Sequence, residues 1–403
     1  MATHRLYITR LFIAICPVII PFLLSGCLLA QPEVSRSSYE LKPGAATTHQ
    51  PEPLIPDVEP ASRPKNIILM IGDGMAISHI TAGMVANHGD LYMSQFQHIG
   101  LMTTHPVGEL VTGSCAAATA MATGHKTLNN RIGIDEHGEP LTNIREILAR
   151  HGIRTGLVAT STITHATPAG FYARQPHRGM KEEIARDLVD ANVDLFMGGG
   201  LRHFTERKDG ANLLDDLANN GYYIDTQTVA IDPVITVDSL FARSRFAGLY
   251  ARGHLAKAEN GRIQFLPMAT QSAIRFLDNE HGFFLMIEGS QIDWGGHATN
   301  TQYIVEELLD FDRAVGEALR FALEDGNTLL LVTSDHECGG MAIESGDFSS
   351  GSVVAKYTHA GHTGTLVPMF AFGPGAELFT GFFDNTDLPK RMALLMGVEL
   401  PGM

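Results

Sequence analysis

The sequence predicts an α/β fold built on a mostly parallel central sheet. Short apolar runs, rich in leucine or β-branched residues, alternate along the chain with segments of helical periodicity. Strands are predicted at residues 66–72, 156–161, 194–199, 283–288, 328–334 and 368–373. Helices are predicted at residues 143–151, 181–192, 213–220, 267–279 and 304–324. This alternation of strands and helices is typical of a parallel sheet covered by helices.

The last of these helices shows the periodicity clearly. Ile304, Leu308, Phe311, Val315 and Leu319 recur at intervals of three or four residues. Residues at this spacing share one face of a helix, so the pattern predicts a buried apolar stripe.

Polar side chains follow the predicted strands where each strand ends. Asp73, Glu288, Asp335 and His336 all lie at or just past the carboxyl end of a strand, the edge where open α/β sheets bind ligands. Carboxylates gathered at one edge repel one another unless a positive group joins them. The sequence therefore predicts one or more metal ions at this edge.

Composition limits the classes of partner. The chain has 403 residues, 44 % of them hydrophobic, and a formal net charge of −15. A large core can therefore be buried, and a specific nucleic-acid partner is not expected because such a surface needs a basic stripe. Small anionic substrates stay open, since a metal or an arginine can reverse the local field.

Residues 1–26 have the pattern of a secretory signal peptide. Arg5 and Arg10 precede an apolar, uncharged run over residues 11–24, which is short for a membrane span and typical of a signal sequence. The run ends in Leu-Ser-Gly-Cys27, which resembles the bacterial lipobox. The expectation is export to the periplasm or cell surface with a lipid anchor on Cys27. The alternative is an ordinary signal peptide with a chance cysteine.

Residues 27–63 are predicted to be a Pro-rich tether, and residues 64–403 a single catalytic domain. Seven prolines occur between positions 32 and 64, which favours an extended segment over a packed element. Beyond the signal and Cys27, only Cys115 and Cys338 remain. A bridge between them is left open by the sequence.

Two further segments carry chemistry. Asp293 and His297 lie four residues apart, so they share a face if the segment is helical and could bind one zinc ion; the alternative is a simple hydrogen-bonded pair. Ser114 precedes an Ala-rich helix-forming stretch, where helix dipole and free amides favour an anion. Ser114 is thus either an ordinary N-cap residue or a nucleophile. If it is a nucleophile, a metal ion would have to activate it, because the sequence places no histidine near it.

These segments, in this order, resemble the alkaline phosphatase family. The matching stretches are residues 64–75, 111–124, 165–168, 283–297, 333–336 and 362–364. The resemblance spans residues 64–400. It implies an alkaline-phosphatase-like three-layer sandwich around a mostly parallel sheet. The interval from His336 to His362 is short, so the crown insertion of larger relatives is expected to be reduced or absent.

The resemblance also implies three metal ions, two Zn²⁺ and one Mg²⁺. The first zinc site would take Asp293, His297 and His362. The second would take Asp73, Asp335 and His336, with Ser114 alongside. The magnesium site would take Asp73, Thr167 and Glu288. His165 stands beside this third site, which leaves its metal open because imidazole suits zinc or cobalt better than magnesium.

By the same resemblance, the enzyme hydrolyses phosphate monoesters through a phosphoserine on Ser114. Arg178 occupies the position that clamps two phosphoryl oxygens. Gly113 stands where several relatives carry an aspartate that braces this arginine, so we expect Arg178 to be less restrained. Cys115, beside the nucleophile, is interpreted as an inert buried residue, with an oxidation site as the alternative. Residues 200–265 are interpreted as a peripheral insertion, to which no role is assigned.

Alternative functions are a phosphodiesterase of the same superfamily and a non-catalytic metal-binding lipoprotein. A diesterase commonly uses threonine and lacks the arginine clamp, so Ser114 with Arg178 favours monoesters. A sulfatase is disfavoured because Ser114-Cys115-Ala116 lacks the required proline and arginine context. A homodimer is common in the family, and the short insertions weaken that inference.

Overall fold

The computed structural model describes residues 39–42, 44, 46–50, 52, 63–226, 244–262 and 264–401. Its strands are β1 Tyr39–Leu41, β2 Asn66–Gly72, β3 His98–Thr103, β4 Arg154–Thr162, β5 Leu195–Gly199, β6 Tyr222–Asp225, β7 Arg245–Leu249, β8 Phe283–Gly289, β9 Thr328–Thr333, β10 Glu337–Cys338, β11 Met341–Asp347, β12 Ser352–Tyr357, β13 His362–Thr363, β14 Val367–Phe372 and β15 Gly381–Asp384. Its helices are α1 Ile77–Ala86, α2 Ser114–Thr123, α3 Ile144–Arg150, α4 Ala166–Ala169, α5 Lys181–Asp190, α6 Arg202–Thr205, α7 Leu213–Asn219, α8 Phe265–Leu277, α9 Ile292–His297, α10 Thr301–Asp325 and α11 Asp387–Met396.

A 10-stranded sheet forms the centre, in the order β15-β3-β14-β9-β2-β8-β4-β5-β7-β6. Every neighbouring pair is parallel except the two pairs that β14 makes, with β3 and with β9. The predicted α/β class with a mostly parallel sheet is therefore confirmed. All six predicted strands and all five predicted helices occur, with ends shifted by a few residues.

Strand β2 shows how the sequence builds three layers. All seven of its residues are buried, as expected for a parallel strand covered on both faces. Ile67, Leu69 and Ile71 point into one hydrophobic cluster, whereas Ile68 and Met70 point into another. Because successive side chains alternate between the faces of a strand, the two clusters are the cores on opposite faces of the sheet, and the predicted sandwich is confirmed.

Helix α10 forms much of the first of these cores. Its N-cap, Asn300, accepts a hydrogen bond from the backbone N–H of Tyr303 at 3.1 Å, and its C-cap is Gly326 with φ +67°. Both are favoured terminators, since asparagine satisfies a free amide and glycine adopts the left-handed conformation without strain. All five residues of the predicted apolar stripe are buried.

The segment predicted as a tether is partly packed on the domain. Strand β1 pairs antiparallel with β12 in a 3-stranded sheet with β11, and Leu41 is buried. His49 Nε2 lies 2.8 Å from a carboxylate oxygen of Asp312. These described parts therefore pack on the domain, which the Pro-rich composition did not indicate. The assignment of residues 27–63 as a tether stays a prediction. The predicted signal peptide and Cys27 lie outside the described residues.

Two smaller expectations are also settled. The β11–β12 hairpin is the main structure between His336 and His362, in line with a reduced insertion. Residues 200–265 are not merely peripheral, because β6 and β7 extend the central sheet at one edge; residues 227–243 of this segment lie outside the described part.

No helix among the described residues has both the length and the apolar character needed to cross a membrane.

Candidate active site

The carboxyl ends of β2, β8 and β9 bring the predicted acidic residues together. Asp73 directly follows β2, Glu288 is the penultimate residue of β8, and Asp335 comes two residues after β9. All three side chains are fully buried. The turn after β2 needs Gly74, which has φ +75° and whose added Cβ would lie 2.7 Å from the Cα of Asp293. A glycine is therefore required for these two loops to meet.

The first cluster is built on helix α9 and the short strand β13. Asp293 and His297 are four residues apart on α9, as predicted, and their Oδ2 and Nε2 atoms lie 3.4 Å apart. His362 Nε2 lies 3.3 Å from Asp293 Oδ1. Cys338 also contributes a sulfur, and the four ligand atoms lie within 4.8 Å of one another.

The ring nitrogens of this cluster are aimed by the backbone. His297 Nδ1 lies 2.8 Å from the carbonyl of Ala360, and His362 Nδ1 lies 2.8 Å from the carbonyl of Thr112. Each Nδ1 therefore carries a proton, which leaves the two Nε2 atoms facing each other at 3.1 Å. Two Nε2 lone pairs that face each other beside a carboxylate would attract a cation. Metal-binding histidines commonly have this arrangement, in which the other ring nitrogen is held by a hydrogen bond. With only protons available, a hydrogen bond that the Asp293 carboxylate accepts from the ring raises the pKa of His297 to about 9.

The second cluster lies around His336, which is fully buried. Its Nε2 is 3.2 Å from Asp335 Oδ2, 3.5 Å from Asp73 Oδ1 and 3.3 Å from Ser114 Oγ. Burial lowers the pKa of His336 to about 4, so the ring is neutral and its Nε2 can act as a ligand. Ligand atoms of Asp73, Asp293 and His336 form a group within 4.8 Å, so Asp293 lies between the first and second clusters.

The third cluster joins Asp73, Glu288 and His165. Glu288 Oε2 accepts hydrogen bonds from Ser290 Oγ (2.5 Å) and Ser161 Oγ (3.3 Å), which turns Oε1 toward the cluster. Burial raises the pKa of Glu288 to about 7. Burial and the charges of neighbouring carboxylates also raise the pKa of Asp73 well above its ordinary range. A bound cation would oppose both shifts.

Unsatisfied buried atoms test whether these clusters suit metal ions. Buried oxygen and nitrogen atoms with no hydrogen-bond partner in the described structure include both carboxylate oxygens of Asp73, Oδ1 of Asp293, Oδ2 of Asp335, Oε1 of Glu288, Oγ1 of Thr167 and Nδ1 of His165. Buried polar atoms are rarely left unpaired without a bound ion or water. Their concentration in the predicted ligand set fits metal binding.

Ser114 is the first residue of α2 and is buried, with 1 % of its surface exposed. The N-cap Gly113 makes no side-chain cap, so amides of the first turn stay available to an anion. No Ser-His-Asp triad is formed: Asp73, Asp335 and Ser114 all approach His336 at Nε2, whereas its Nδ1 has no partner. A triad needs the carboxylate on the opposite nitrogen.

Arg178 reaches the same site from the loop before α5. Its Nη2 lies 3.0 Å from His165 Nε2. Burial raises the pKa of the Cys115 thiol, and the positive charge of Arg178 opposes this shift. Gly113 supplies no carboxylate brace, as predicted, and its backbone N–H donates to Asn129 at 2.7 Å. His165 holds the guanidinium instead.

Sequence reasoning missed Cys338 at the first cluster. Cys338 pairs with His362 in the β10–β13 ribbon, and directly opposed residues carry their side chains on the same face. The sequence did hold one signal: Cys338 comes two residues after His336, and residues at this spacing in a strand lie on the same face. Cys115 and Cys338 are both free and buried, so the bridge left open above is not formed in the structure.

Comparison with known proteins gives the family. The family model described as alkaline phosphatase matches residues 64–356. The chain is 34 % identical to alkaline phosphatase 4 of Bacillus subtilis, over 80 % of this chain and 87 % of that protein. It is 30 % identical to the alkaline phosphatase of Escherichia coli, over 83 % and 86 %. The solved alkaline phosphatase of the Antarctic bacterium TAB5 is 41 % identical, with a TM-score of 0.79 over 84 % of this chain and 99 % of that one.

The ordered motifs, the metal-ready clusters around Ser114 and these similarities agree. The chain therefore belongs to the alkaline phosphatase family and is a metal-dependent hydrolase of phosphate monoesters.

Proposed function

We propose that hydrolysis proceeds through a phosphoserine on Ser114. Ser114 Oγ would attack the phosphorus as its proton is lost, the bond from phosphorus to the alcohol oxygen would break, and the alcohol would leave with a proton. Water would then attack the phosphoserine, release inorganic phosphate and restore the hydroxyl. The observation that carries this proposal is the position of Ser114 Oγ, buried at the start of α2 and 3.3 Å from His336 Nε2.

We assign two Zn²⁺ sites to the imidazole-containing clusters. Asp293, His297 and His362 would hold the first ion. The second would be held by Asp73, Asp335 and His336. Sets of histidine nitrogens and carboxylates are typical zinc ligands. When bound, the ions would supply Lewis-acid polarisation and positive charge beside Ser114.

The third site is assigned to Mg²⁺ through Asp73, Thr167 and Glu288. Oxygen ligands suit this hard cation, whereas the imidazole of His165 at the same cluster suits softer metals. Two solved variants of the TAB5 enzyme, in which one histidine is replaced by aspartate or glutamate, are described with Mg bound in the M3 site. We therefore expect His165→Asp to bind Mg²⁺ about tenfold more tightly by calorimetry. Equal or weaker binding would remove the assignment.

The protein's own groups then position the phosphoryl group. Free amides of the first turn of α2 would point at one phosphoryl oxygen. Arg178 would donate to two others, since a guanidinium forms paired bonds with phosphate. Negative charge grows on these oxygens during transfer, so preset donors stabilise the transition state more than the ground state.

The competing function is phosphodiester hydrolysis. A diester has one fewer charged oxygen, so it would leave part of the Arg178 fork unmatched. The test compares p-nitrophenyl phosphate with bis-p-nitrophenyl phosphate for the wild type and for Ser114→Ala. We expect a faster monoester, and loss of most of that activity in the variant. A faster diester would overturn the monoesterase assignment, and unchanged activity of Ser114→Ala would overturn the covalent route.

We also propose export and lipid attachment at Cys27, with signal cleavage after residue 26. Support comes from the basic start, the apolar run and the lipobox-like Leu24-Ser25-Gly26-Cys27. The intact mass of the mature N-terminal peptide tests this. Acyl chains on Cys27 are expected; an unmodified Cys27 or cleavage elsewhere would contradict it.

A further inference from the structure

A group of donor side chains beside the active site has no carboxylate partner among the described residues. It comprises three cations, Arg178, Lys181 and Arg202, and the neutral ring of His254, whose pKa burial lowers to about 4. We call this group the cationic cluster. Among the ion pairs of the described residues, none joins Arg178, Lys181 or Arg202 to a carboxylate. Nearby arginines behave differently, because Arg207 pairs with Asp209 and Arg252 with Glu206 at 2.5 Å each. Unpaired cations gathered together are unexpected in a chain with a net charge of −15.

The cluster is continuous with the catalytic centre. Arg178 Nη2 contacts His165 Nε2 at 3.0 Å, and His165 belongs to the third candidate metal group. The ring of His254 lies 5.8 Å from that of His165 and 4.6 Å from that of Trp294. The side chains of His254 and Trp294 thus lie beside His165 at the third cluster.

Lys181 and Arg202 are both linked by hydrogen bonds to Thr164. Lys181 Nζ donates to the carbonyl of Thr164 at 3.1 Å. Arg202 Nε donates to His203 Nε2 at 3.2 Å, so His203 carries its proton on Nδ1 and donates to Thr164 Oγ1 at 2.7 Å. Burial and the charge of Arg202 lower the pKa of His203 to about 4. His203 is therefore neutral, and its ring connects Arg202 to Thr164 by hydrogen bonds.

The remaining groups of the cluster offer donors. The backbone N–H of Thr162 donates to Nδ1 of His254 at 3.0 Å, so the neutral ring keeps its proton on the exposed Nε2. Lys181 is half-buried and uses one of its three N–H bonds on Thr164. Burial, and then the charge of Arg178, lower the pKa of Lys181 to about 8. A bound anion would favour the charged form of Lys181 and oppose both effects.

We propose that the cationic cluster is a subsite for a second anionic group on the alcohol portion of the substrate. The enzyme would then prefer phosphate monoesters whose alcohol carries another phosphate or a carboxylate. This proposal rests on the proposed function, because Arg178 must hold the reacting phosphoryl group while Lys181, Arg202 and His254 bind the second anion. These side chains offer hydrogen-bond donors and no acceptor, so they favour anionic oxygens. Charge-assisted hydrogen bonds to such oxygens are stronger than neutral ones.

Three esters with the same three-carbon skeleton test the proposal. Glycerol 3-phosphate has no second anion, 3-phosphoglycerate adds a carboxylate, and 2,3-bisphosphoglycerate adds a second phosphate. We expect kcat/KM to rise at least about tenfold from the first to the last, beyond the statistical advantage of two esters. In Lys181→Gln/Arg202→Gln this gain should fall about tenfold, with glycerol 3-phosphate changed less than about twofold.

Arg186→Gln is the matched control, because Arg186 lies on the same helix, α5, but pairs with Asp216 at 2.7 Å. It removes one positive charge and should keep the gain. A gain for either anionic ester that the double variant loses supports the subsite. Equal kcat/KM for the three esters, or a gain that survives in the double variant, overturns the subsite alone. Failure of the wild type on all three esters and on p-nitrophenyl phosphate would overturn the proposed function as well.

Discussion

Replacing Glu288 by glutamine should stabilise the metal-free protein and destabilise the metal-loaded one. Glu288 is fully buried, and its ligand oxygen lies within 4.8 Å of one on Asp73. Burial is the largest cause of the raised pKa of Glu288, and the charge of Asp335 adds to it. The rise to about 7 corresponds to about 3 kcal/mol.

The sign follows from the direction of this shift. A carboxyl group whose pKa is raised on folding contributes stability below its unfolded pKa and loses it as pH rises through the folded value, here about 7. The wild type and Glu288→Gln should therefore be equally stable near pH 4.5. At pH 8 the metal-free variant should be more stable by about 3 kcal/mol, or about 4 °C in Tm for a domain of roughly 340 residues.

Differential scanning fluorimetry of chelator-treated and metal-reconstituted samples measures both effects. With Zn²⁺ and Mg²⁺ present the order should reverse, because glutamine is a weaker ligand and bound metal stabilises the folded state. A metal-free Glu288→Gln that is no more stable than the wild type at pH 8 would refute the idea that these carboxylates await a cation. So would a variant that stays more stable after metals are added.

Three further substitutions separate roles within the fold. Arg178→Ala should lower kcat/KM for p-nitrophenyl phosphate about 10- to 100-fold through lost charge-assisted hydrogen bonds; steady-state kinetics would contradict the clamp if the loss were below twofold. Gly74→Ala should weaken zinc binding and cost about 1–3 kcal/mol, because its Cβ meets the Cα of Asp293; unchanged zinc content by elemental analysis would argue against that contact. Arg145→Met removes a buried guanidinium that donates to two backbone carbonyls and should cost about 3 kcal/mol in chemical denaturation, with kcat unchanged in the folded fraction.

The sequence predicted the strands at the middle of the sheet better than those at its edges. The six predicted strands are apolar and mostly buried on both faces, so their composition is distinctive. Strands β3 and β15 lie at one edge, where Ile99 and Phe382 are exposed and glycines interrupt the apolar run. Strands β6 and β7, at the other edge, are short, and residues 200–265, which contain them, are interpreted from the sequence as a peripheral insertion. The reversed direction of β14 depends on tertiary pairing, which local patterns do not record.

In the site, as in the sheet, contacts set by local sequence spacing could be predicted, and contacts between distant segments could not. The i, i+4 spacing of Asp293 and His297 is local, and it placed both on one face of α9. The position of Asp293 between two clusters depends on loops that are far apart in sequence. The contact of His165 with Arg178, 13 residues away, depends on how the intervening loop folds. Cys338 was missed because its place comes from pairing with His362, and the whole β11–β12 hairpin lies between the two residues. The metal-ligand assignment stays a prediction, supported by the convergence of the residues.

The most direct test of the central claim is to trap the covalent intermediate. Acid quenching during turnover of a phosphate monoester, followed by proteolysis and mass spectrometry, is expected to show a peptide carrying one added phosphoryl group on Ser114. Ser114→Ala should show no such peptide. Phosphate found on another residue, or full turnover with no phosphorylated peptide at any quench time, would contradict the account.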